Sequence, residues 1–305
     1  MSPIYPKMTK SILITVDVED WFQVENFKPW ISHDSWDTQQ LRVEANIHRL
    51  LDLFDAVSER MTLQREPVRA TFFVLGWIAK KRPNLVKMIQ KRGHEVASHG
   101  FHHHLCTDLS ADILKKDMME SRMLLEDITG EPVFGYRAPS FAVTADILDM
   151  VRESGYLYDS SYNSFDRHDR YGHLDLSGVR KKGVAFELSD MFFELPVSNL
   201  NVANQVIPWG GGGYFRLIPF PIFMKGVDAI LARDDAYLFY MHPWEIDPGQ
   251  PRVSRASAMA RFRHYNNLKG AYDKLKRMIL GLHHHRFFTC HEYIKSIKMN
   301  NGWSK

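Results

Sequence analysis

Cysteine is nearly absent: of 305 residues only Cys106 and Cys290 carry a thiol, far apart and in no Cys-x-x-Cys pair. That argues against a dithiol redox motif and a thiolate zinc site, and leaves two small buried or half-buried thiols as the expectation, with a bridge between them open. Long apolar runs are missing as well. No stretch reaches the ~18 residues that would span a bilayer, and residues 1–10 contain no apolar signal core, so a cytoplasmic protein without a membrane span is expected. Charge of one sign is also lacking. The 39 Lys and Arg against 36 Asp and Glu leave a net +3, dispersed apart from short groups such as Arg180-Lys181-Lys182. This gives no electrostatic ground for binding nucleic acid. No internal repeat, linker or low-complexity tract interrupts the chain. What is present is an ordinary globular composition, 45% hydrophobic and 25% charged, in a length that suits one α/β barrel, so a single domain over residues 1–305 is expected.

Apolar periodicity alternates between strand and helix along the chain. Residues 11–16, 69–75 and 236–241 read as strands, with shorter ones at 185–188 and 193–195. Residues 41–60 read as a helix on the spacing of Leu41, Ile47, Leu50, Leu51, Phe54 and Val57. Pro83 opens another that ends at Lys91-Arg92-Gly93, Ser110 precedes a helix over 111–128, and Thr144 one over 145–154. Residues 219–232 form the next, one long basic helix is expected over 255–279, and a last strand and helix lie around 287–297. The polar stretch 166–180 reads as an exposed loop over the mouth of a site. Such alternation favours a parallel barrel.

Chemistry-bearing residues cluster at or just past the strand ends. Strand 11–16 runs into Asp17-Val18-Glu19-Asp20, and in α/β proteins the carboxyl ends of strands carry catalytic groups. These acids are candidates for a base and a metal ligand, with a helix N-cap or a solvated turn as the ordinary alternative for each. If the backbone stays extended, Asp17 and Glu19 face the same side; if it turns at once, Asp20 swings in instead. The run Gly93-His94-Glu95-Val96-Ala97-Ser98-His99-Gly100-Phe101-His102-His103 places His99 and His103 four apart. On one helical face that spacing lets two imidazoles share a metal. His94 reads as structural. Tyr136-Arg137-Ala138-Pro139 offers a guanidinium able to clamp a carboxylate, and Phe239-Tyr240-Met241-His242-Pro243 ends a strand in a histidine.

These motifs, in this order, resemble the polysaccharide deacetylase family, the NodB-like carbohydrate esterases that remove acetyl groups from N-acetylated sugars. The resemblance covers residues 11–248. Asp17 with Glu19 or Asp20 matches the family's acid pair, His99 and His103 its His-x-x-x-His metal motif, Arg137 and Pro139 its Arg-x-Pro motif, and His242 its late histidine. The stretches Trp209-Gly210-Gly211-Gly212-Gly213-Tyr214-Phe215-Arg216 and His242-Pro243-Trp244-Glu245-Ile246-Asp247-Pro248 resemble a narrower subfamily that accompanies bacterial exopolysaccharide biosynthesis loci. About 206–305 would be its specific C-terminal part. The resemblance implies a deformed, incompletely closed (β/α)7-type barrel and a divalent metal, with zinc expected, held by His99, His103 and either Glu19 or Asp20. The implied partner is an N-acetylated carbohydrate, with which an anionic carrier lipid or a nucleotide sugar is compatible. Asp17 is then the base, Arg137 orients it, His242 protonates the departing nitrogen, and a backbone N–H past Arg137, that of Phe141, joins the oxyanion site. Phe141, Trp209, Tyr214, Tyr240 and Trp244 are candidates to meet the sugar and acyl groups. Asp159 is expected either to hydrogen-bond His242 or to form a turn.

Two positions depart from the family pattern. Val18 stands where a second aspartate is usual, and Tyr240 where a leucine commonly lines the acyl pocket, which leaves the acyl specificity open. Room therefore remains for another C–N hydrolase on the same scaffold, an allantoinase-like cyclic amidase or a deformylase. A catalytically silent carbohydrate-binding protein is a third reading, against which the presence of Asp17, Arg137 and His242 argues. The glycine run 210–213 lacks a Gly-Lys-Ser/Thr ending and a following helix start, so it is not read as a phosphate loop. Which sugar and which oligomeric state apply are open at this level.

Overall fold

A strand that is apolar at nearly every position has no face to give to water and must be covered on both sides. In the computed structural model, which describes residues 9–60, 66–165, 171–203 and 205–299, Ser11–Val18 (β1) lies in the interior of the main sheet. The other strands are Ala70–Val74 (β2), Glu95–Ser98 (β3), Gly135–Tyr136 (β4), Tyr158–Asp159 (β5), Arg180–Lys182 (β6), Ala185–Ser189 (β7), Phe192–Glu194 (β8), Asn199–Val202 (β9), Gln205–Pro208 (β10), Ala236–Met241 (β11) and Arg286–Phe287 (β12). The main sheet runs β11-β1-β2-β3-β4-β5-β8-β7-β6, parallel from β11 to β8 and antiparallel at the β7 and β6 edge. β12 pairs with the start of β1, and β9 with β10 forms a separate hairpin. Among the described residues no ladder joins β11 to β8, so the barrel is curled and incompletely closed, as expected.

The helices are Val43–Arg60 (α1), Gly76–Lys81 (α2), Pro83–Lys91 (α3), Ala111–Thr129 (α4), Ala145–Glu153 (α5), Gly212–Leu217 (α6), Phe220–Arg233 (α7), Ala258–Tyr265 (α8), Leu268–Gly281 (α9) and Cys290–Met299 (α10). No helix among the described residues is long and apolar enough to cross a membrane. Alternation along the strands separates two layers. Leu13, Phe73, Ala97, Tyr158, Phe193 and Leu238 pack together inside the barrel, while Ile12, Ile14, Val16, Phe72, Val74 and Phe239 pack outward against the helices. Each fully buried Leu, Ile, Val or Phe among them contributes ~1.5–3 kcal/mol of burial free energy. Asp17 carries the inward parity of Leu13 and Thr15 to the carboxyl end of β1, where it pairs in register with Phe73.

Two expectations need correction. The long basic helix over 255–279 is two helices, α8 and α9, broken at Asn267, whose φ of 52° no helix accommodates. The glycine run does open a helix, α6, although it is only six residues long. Both cysteines are buried and free, and burial pushes each thiol up to about 12.

Candidate active site

The carboxyl ends of β1, β3 and β11, with the turn after β4, converge on a cavity of about 370 Å³ whose lining includes Asp17, Glu19, His99, His103, Phe141 and His242. The chain tightens at once after β1, with the Glu19 N–H donating to the Asp17 carbonyl at 2.9 Å. Glu19 still reaches the cavity. Its Oε1 stands 2.9 Å from His103 Nε2 and 3.2 Å from His99 Nε2, and all three side chains are buried. His242 Nε2 lies 3.5 Å from the same oxygen.

Asp20 corrects the alternative ligand assignment. Its carboxylate turns away and accepts the backbone N–H groups of Trp21 at 2.8 Å, Arg42 at 2.7 Å and Val43 at 2.9 Å. It thus caps the first turn of α1 from across the chain, which satisfies donors a helix start leaves orphaned. Burial pushes this carboxyl up to about 6 against the pull of those amides.

The His-x-x-x-His spacing also works differently from expectation. Residues 99–103 are not helical; the backbone instead crosses the left-handed region at Gly100 (φ 71°) and His103 (φ 57°). Asp117 of α4 braces this loop by accepting the N–H groups of Phe101 at 2.7 Å and His102 at 3.3 Å. His94 is structural, as expected: its Nδ1 accepts the Ala70 N–H at 3.2 Å.

On the other side of the cavity, Arg137 donates from Nη1 to Asp17 Oδ1 at 2.7 Å and to Thr15 Oγ1 at 2.8 Å. Its Nε and Nη2 go to the carbonyl and hydroxyl of Ser160, both at 2.8 Å. Every edge of this buried guanidinium is therefore held, and Asp17 is fixed by an ion pair whose guanidinium is closed off from solvent while the carboxylate, nearly buried, borders the cavity. Asp159 takes the turn-forming role. It accepts the N–H and the hydroxyl of Ser161 at 2.8 Å each, and Ser161 Oγ accepts the Ala138 N–H.

Two groups near His242, Glu245 and Arg216, carry no role in the sequence reading, whereas Trp244 is read there as a sugar contact. Glu245 Oε2 accepts the His242 N–H at 2.9 Å and stands 3.5 Å from His242 Nδ1, while Glu245 Oε1 pairs with Arg216 Nε at 2.9 Å. Trp244 stacks on the His242 ring at 5.1 Å. Both residues lie in stretches whose composition stood out, but a chain read in one dimension does not say that α6 and the turn after β11 meet.

The electrostatics follow from burial and contact. Burial opposes a charge on Glu19, yet the His103 and His242 rings outweigh it and hold the carboxyl well below its usual range. Conversely, burial would lower His103 and His242, and Glu19 raises both.

Of the remaining candidates, Tyr240 and Phe141 meet edge to face at 4.7 Å on the cavity wall, and Tyr214 and Trp244 also line it. Trp209 does not. It is buried against Phe223, stacked at 5.7 Å, with its indole N–H on the Phe223 carbonyl. The Phe141 N–H is likewise unsuited to an oxyanion site, because it donates to the Ala138 carbonyl at 3.0 Å. The polar stretch after 165 contributes Tyr171 to the lining, and residues 166–170 lie outside the described ones.

The donor set fits a divalent cation. His99 Nδ1 lies 2.8 Å from the Arg137 carbonyl, so this nitrogen carries the hydrogen and Nε2 points a lone pair at Glu19. A lone pair facing a carboxylate oxygen, with a second imidazole beside it and all three ligand atoms within 4.8 Å of one another, is the arrangement of a metal site.

Residues 60–158 match the family model described as Polysaccharide deacetylase, and residues 160–295 match one described as Domain of unknown function (DUF3473). Over 141 residues the chain is 30% identical to the peptidoglycan deacetylase of Helicobacter pylori, covering 44% of this chain and 45% of that protein. Over 94 residues it is 29% identical to the peptidoglycan-N-acetylglucosamine deacetylase of Bacillus cereus, covering 31% and 44%. Over 98 residues it is 31% identical to a peptidoglycan deacetylase-like protein of Gibberella zeae, covering 32% and 29%. The chain thus spans less than half the length of these relatives. Two solved structures share the fold along nearly the whole chain. One, from Mycobacterium smegmatis and described provisionally as a polysaccharide deacetylase, has a TM-score of 0.61 at 17% identity and covers 97% of this chain and 93% of that one. The other, the PuuE allantoinase, has a TM-score of 0.61 at 15% identity and covers 98% and 94%.

Proposed function

Since this chain carries a domain of the polysaccharide deacetylase family, we propose that it is a metal-dependent hydrolase that removes N-acetyl groups from an amino sugar in a polysaccharide or its precursor. The observation that carries this reading is the pairing, across one cavity, of a buried Asp17–Arg137 ion pair with the Glu19, His99 and His103 donor set. The relatives' names point to N-acetylated carbohydrate, and the cavity offers the aromatic rings of Tyr214, Tyr240 and Trp244 to sugar faces. An exopolysaccharide is the substrate we favour, on the motifs of the C-terminal third.

Glu19, His99 and His103 would hold the metal, for which zinc is our choice on the His₂-carboxylate set. When bound it supplies Lewis-acid polarisation of the acetamide carbonyl and activates the attacking water. Asp17 takes the proton from that water. Arg137 fixes the Asp17 carboxylate in place through the Nη1–Oδ1 contact, so that it is held facing that water. His242, at the cavity edge, delivers a proton from Nε2 to the departing amine.

The test is acetate release from N-acetylated oligosaccharides and nucleotide sugars by zinc-loaded protein beside Asp17→Asn and His103→Ala. Metal-dependent acetate release by the native chain, lost by roughly 10³-fold or more in both variants, is expected. Stoichiometric metal with no acetate from this panel, but formate from an N-formylated amino sugar or ring opening of a cyclic ureide assayed in parallel, would replace this reading with another C–N hydrolase.

A further inference from the structure

His242 lies among groups that the proposed reaction has not yet used. Glu245, three residues on in the short 3₁₀ turn Pro243–Ile246, is buried. One of its oxygens accepts the His242 backbone N–H at 2.9 Å and faces His242 Nδ1 at 3.5 Å, and Nδ1 has no hydrogen-bond partner at shorter range among the described residues. Its other oxygen is paired with Arg216, equally buried, at 2.9 Å. Arg216 is itself anchored. Its Nη1 donates to the carbonyls of His264 at 2.9 Å and Asn266 at 2.5 Å, and its Nη2 to that of Arg263 at 3.1 Å, all at the carboxyl end of α8, where a cation is favoured. The glycine run allows the approach, because a Cβ on Gly212 would stand 1.9 Å from Glu245 Oε2. Trp244 closes one face of the ring and leaves Nε2 toward the cavity, 3.5 Å from Glu19.

A carboxylate facing one imidazole nitrogen keeps the hydrogen on that nitrogen and aims the other. Contacts of this kind are often long in a free site and tighten when substrate is bound. We propose that Glu245, braced by Arg216, is the positioning residue that holds Nδ1 of His242 and presents Nε2 to the departing amine. By this assignment the 160–295 segment, matched only to a domain of unknown function, completes the catalytic site. The assignment rests on the deacetylase reading. In the step concerned, water adds to the acetamide carbon and gives its proton to Asp17. The C–N bond then breaks, its electron pair stays on nitrogen, and that nitrogen takes the Nε2 proton. The product acid gives its remaining hydroxyl proton to solvent and leaves as acetate with the free amine. Asp17 releases the proton it took from water, His242 Nε2 takes one up from solvent, and the Nδ1 hydrogen remains between His242 and Glu245, so that one proton is released net.

An ester separates this role from a merely structural one. The phenolate of 4-nitrophenyl acetate departs without a proton, so the loss of an aimed acid costs the ester little and the acetamide much. With zinc-loaded protein, Glu245→Gln and His242→Asn are expected to lower kcat on N-acetylglucosamine oligomers by roughly 10²-fold. KM should hardly change, the ester rate should fall far less, and Asp17→Asn should lose both activities. Glu245→Asp, which keeps the charge but withdraws it, should fall between native and Gln and stands in if the Gln variant does not fold. Equal losses on both substrates, or an unchanged acetamide kcat in Glu245→Gln, overturn the assignment. Native protein that releases acetate from none of the N-acetylated oligosaccharides and nucleotide sugars of the panel, whether or not it cleaves the ester, overturns the deacetylase reading and the assignment with it.

Discussion

Glu19 and Asp20 differ by one methylene and one position, yet one faces the cavity and the other caps α1. Alternation favours Glu19, but the tight turn between Asp17 and Glu19 breaks the extended backbone that alternation assumes. What decides is the demand elsewhere: the orphan amides of Arg42 and Val43 need an acceptor, and Asp20 is the acid that reaches them. The histidines show the same dependence on partners. His94 is buried and accepts a backbone N–H at Nδ1, and burial lowers its pKa to about 4. Because that folded value lies below the ordinary one near ~6.5, the unfolded chain binds the proton more readily between the two. The stability contributed by neutral His94 is complete above pH ~6.5 and drains as pH falls toward ~4, by about 3 kcal/mol. Urea unfolding of native protein against His94→Asn, whose side-chain oxygen keeps the acceptor, should show a shallower loss over that pH window in the variant. Parallel pH curves would refute the argument.

At the scale of elements, the metal motif shows how a spacing can be right for a geometry that differs from the expected one. The His99 and His103 side chains meet through a loop that turns left-handed twice and is pinned to α4 by Asp117. Gly100 is the residue that makes this turn cheap. At φ 71° an L side chain is strained by ~1–2 kcal/mol, and a Cβ there would stand 3.0 Å from Asp117 Oδ2, the oxygen that braces the loop. Gly100→Ala should therefore lose that much stability in chemical denaturation and weaken zinc binding by roughly 10–100-fold in a chelator competition. Zinc affinity equal to native would show that the loop absorbs the change. The turn after β11 is held in a comparable way, since Asp247 pairs with Arg42 and Asn46 at the start of α1.

Across the whole molecule, the two family matches meet near residue 159, but the sheet does not stop there. β5 pairs with β8, and β1 pairs along most of its length with β11, so strands on both sides of that boundary complete each other's ladders. Site groups are divided in the same way, with Asp17 and Glu19 ahead of both matches, His99, His103 and Arg137 in the first, and Arg216, His242 and Glu245 in the second. A fragment of residues 1–159 leaves one side of β1 unpaired and its apolar face uncovered. Such a fragment should show no cooperative unfolding in urea and no stoichiometric zinc binding. A sharp transition with bound zinc would mean that the second half is an accessory.

Local chemistry alone determined much of this protein. An apolar strand running into acids, a pair of histidines four apart, an arginine before a proline and a histidine at a late strand end could be placed at the carboxyl ends of strands because periodicity is a short-range property. The tertiary structure decided what those residues touch. Glu19 meets His103 across 84 positions of chain, Arg137 meets Asp17 across 120, and Arg216 meets Glu245 across 29. It also buried Trp209, engaged the Phe141 N–H and gave Asp159 to Ser161. These outcomes depend on packing between distant segments, where the need to satisfy every buried polar group selects one partner among several that the sequence permits.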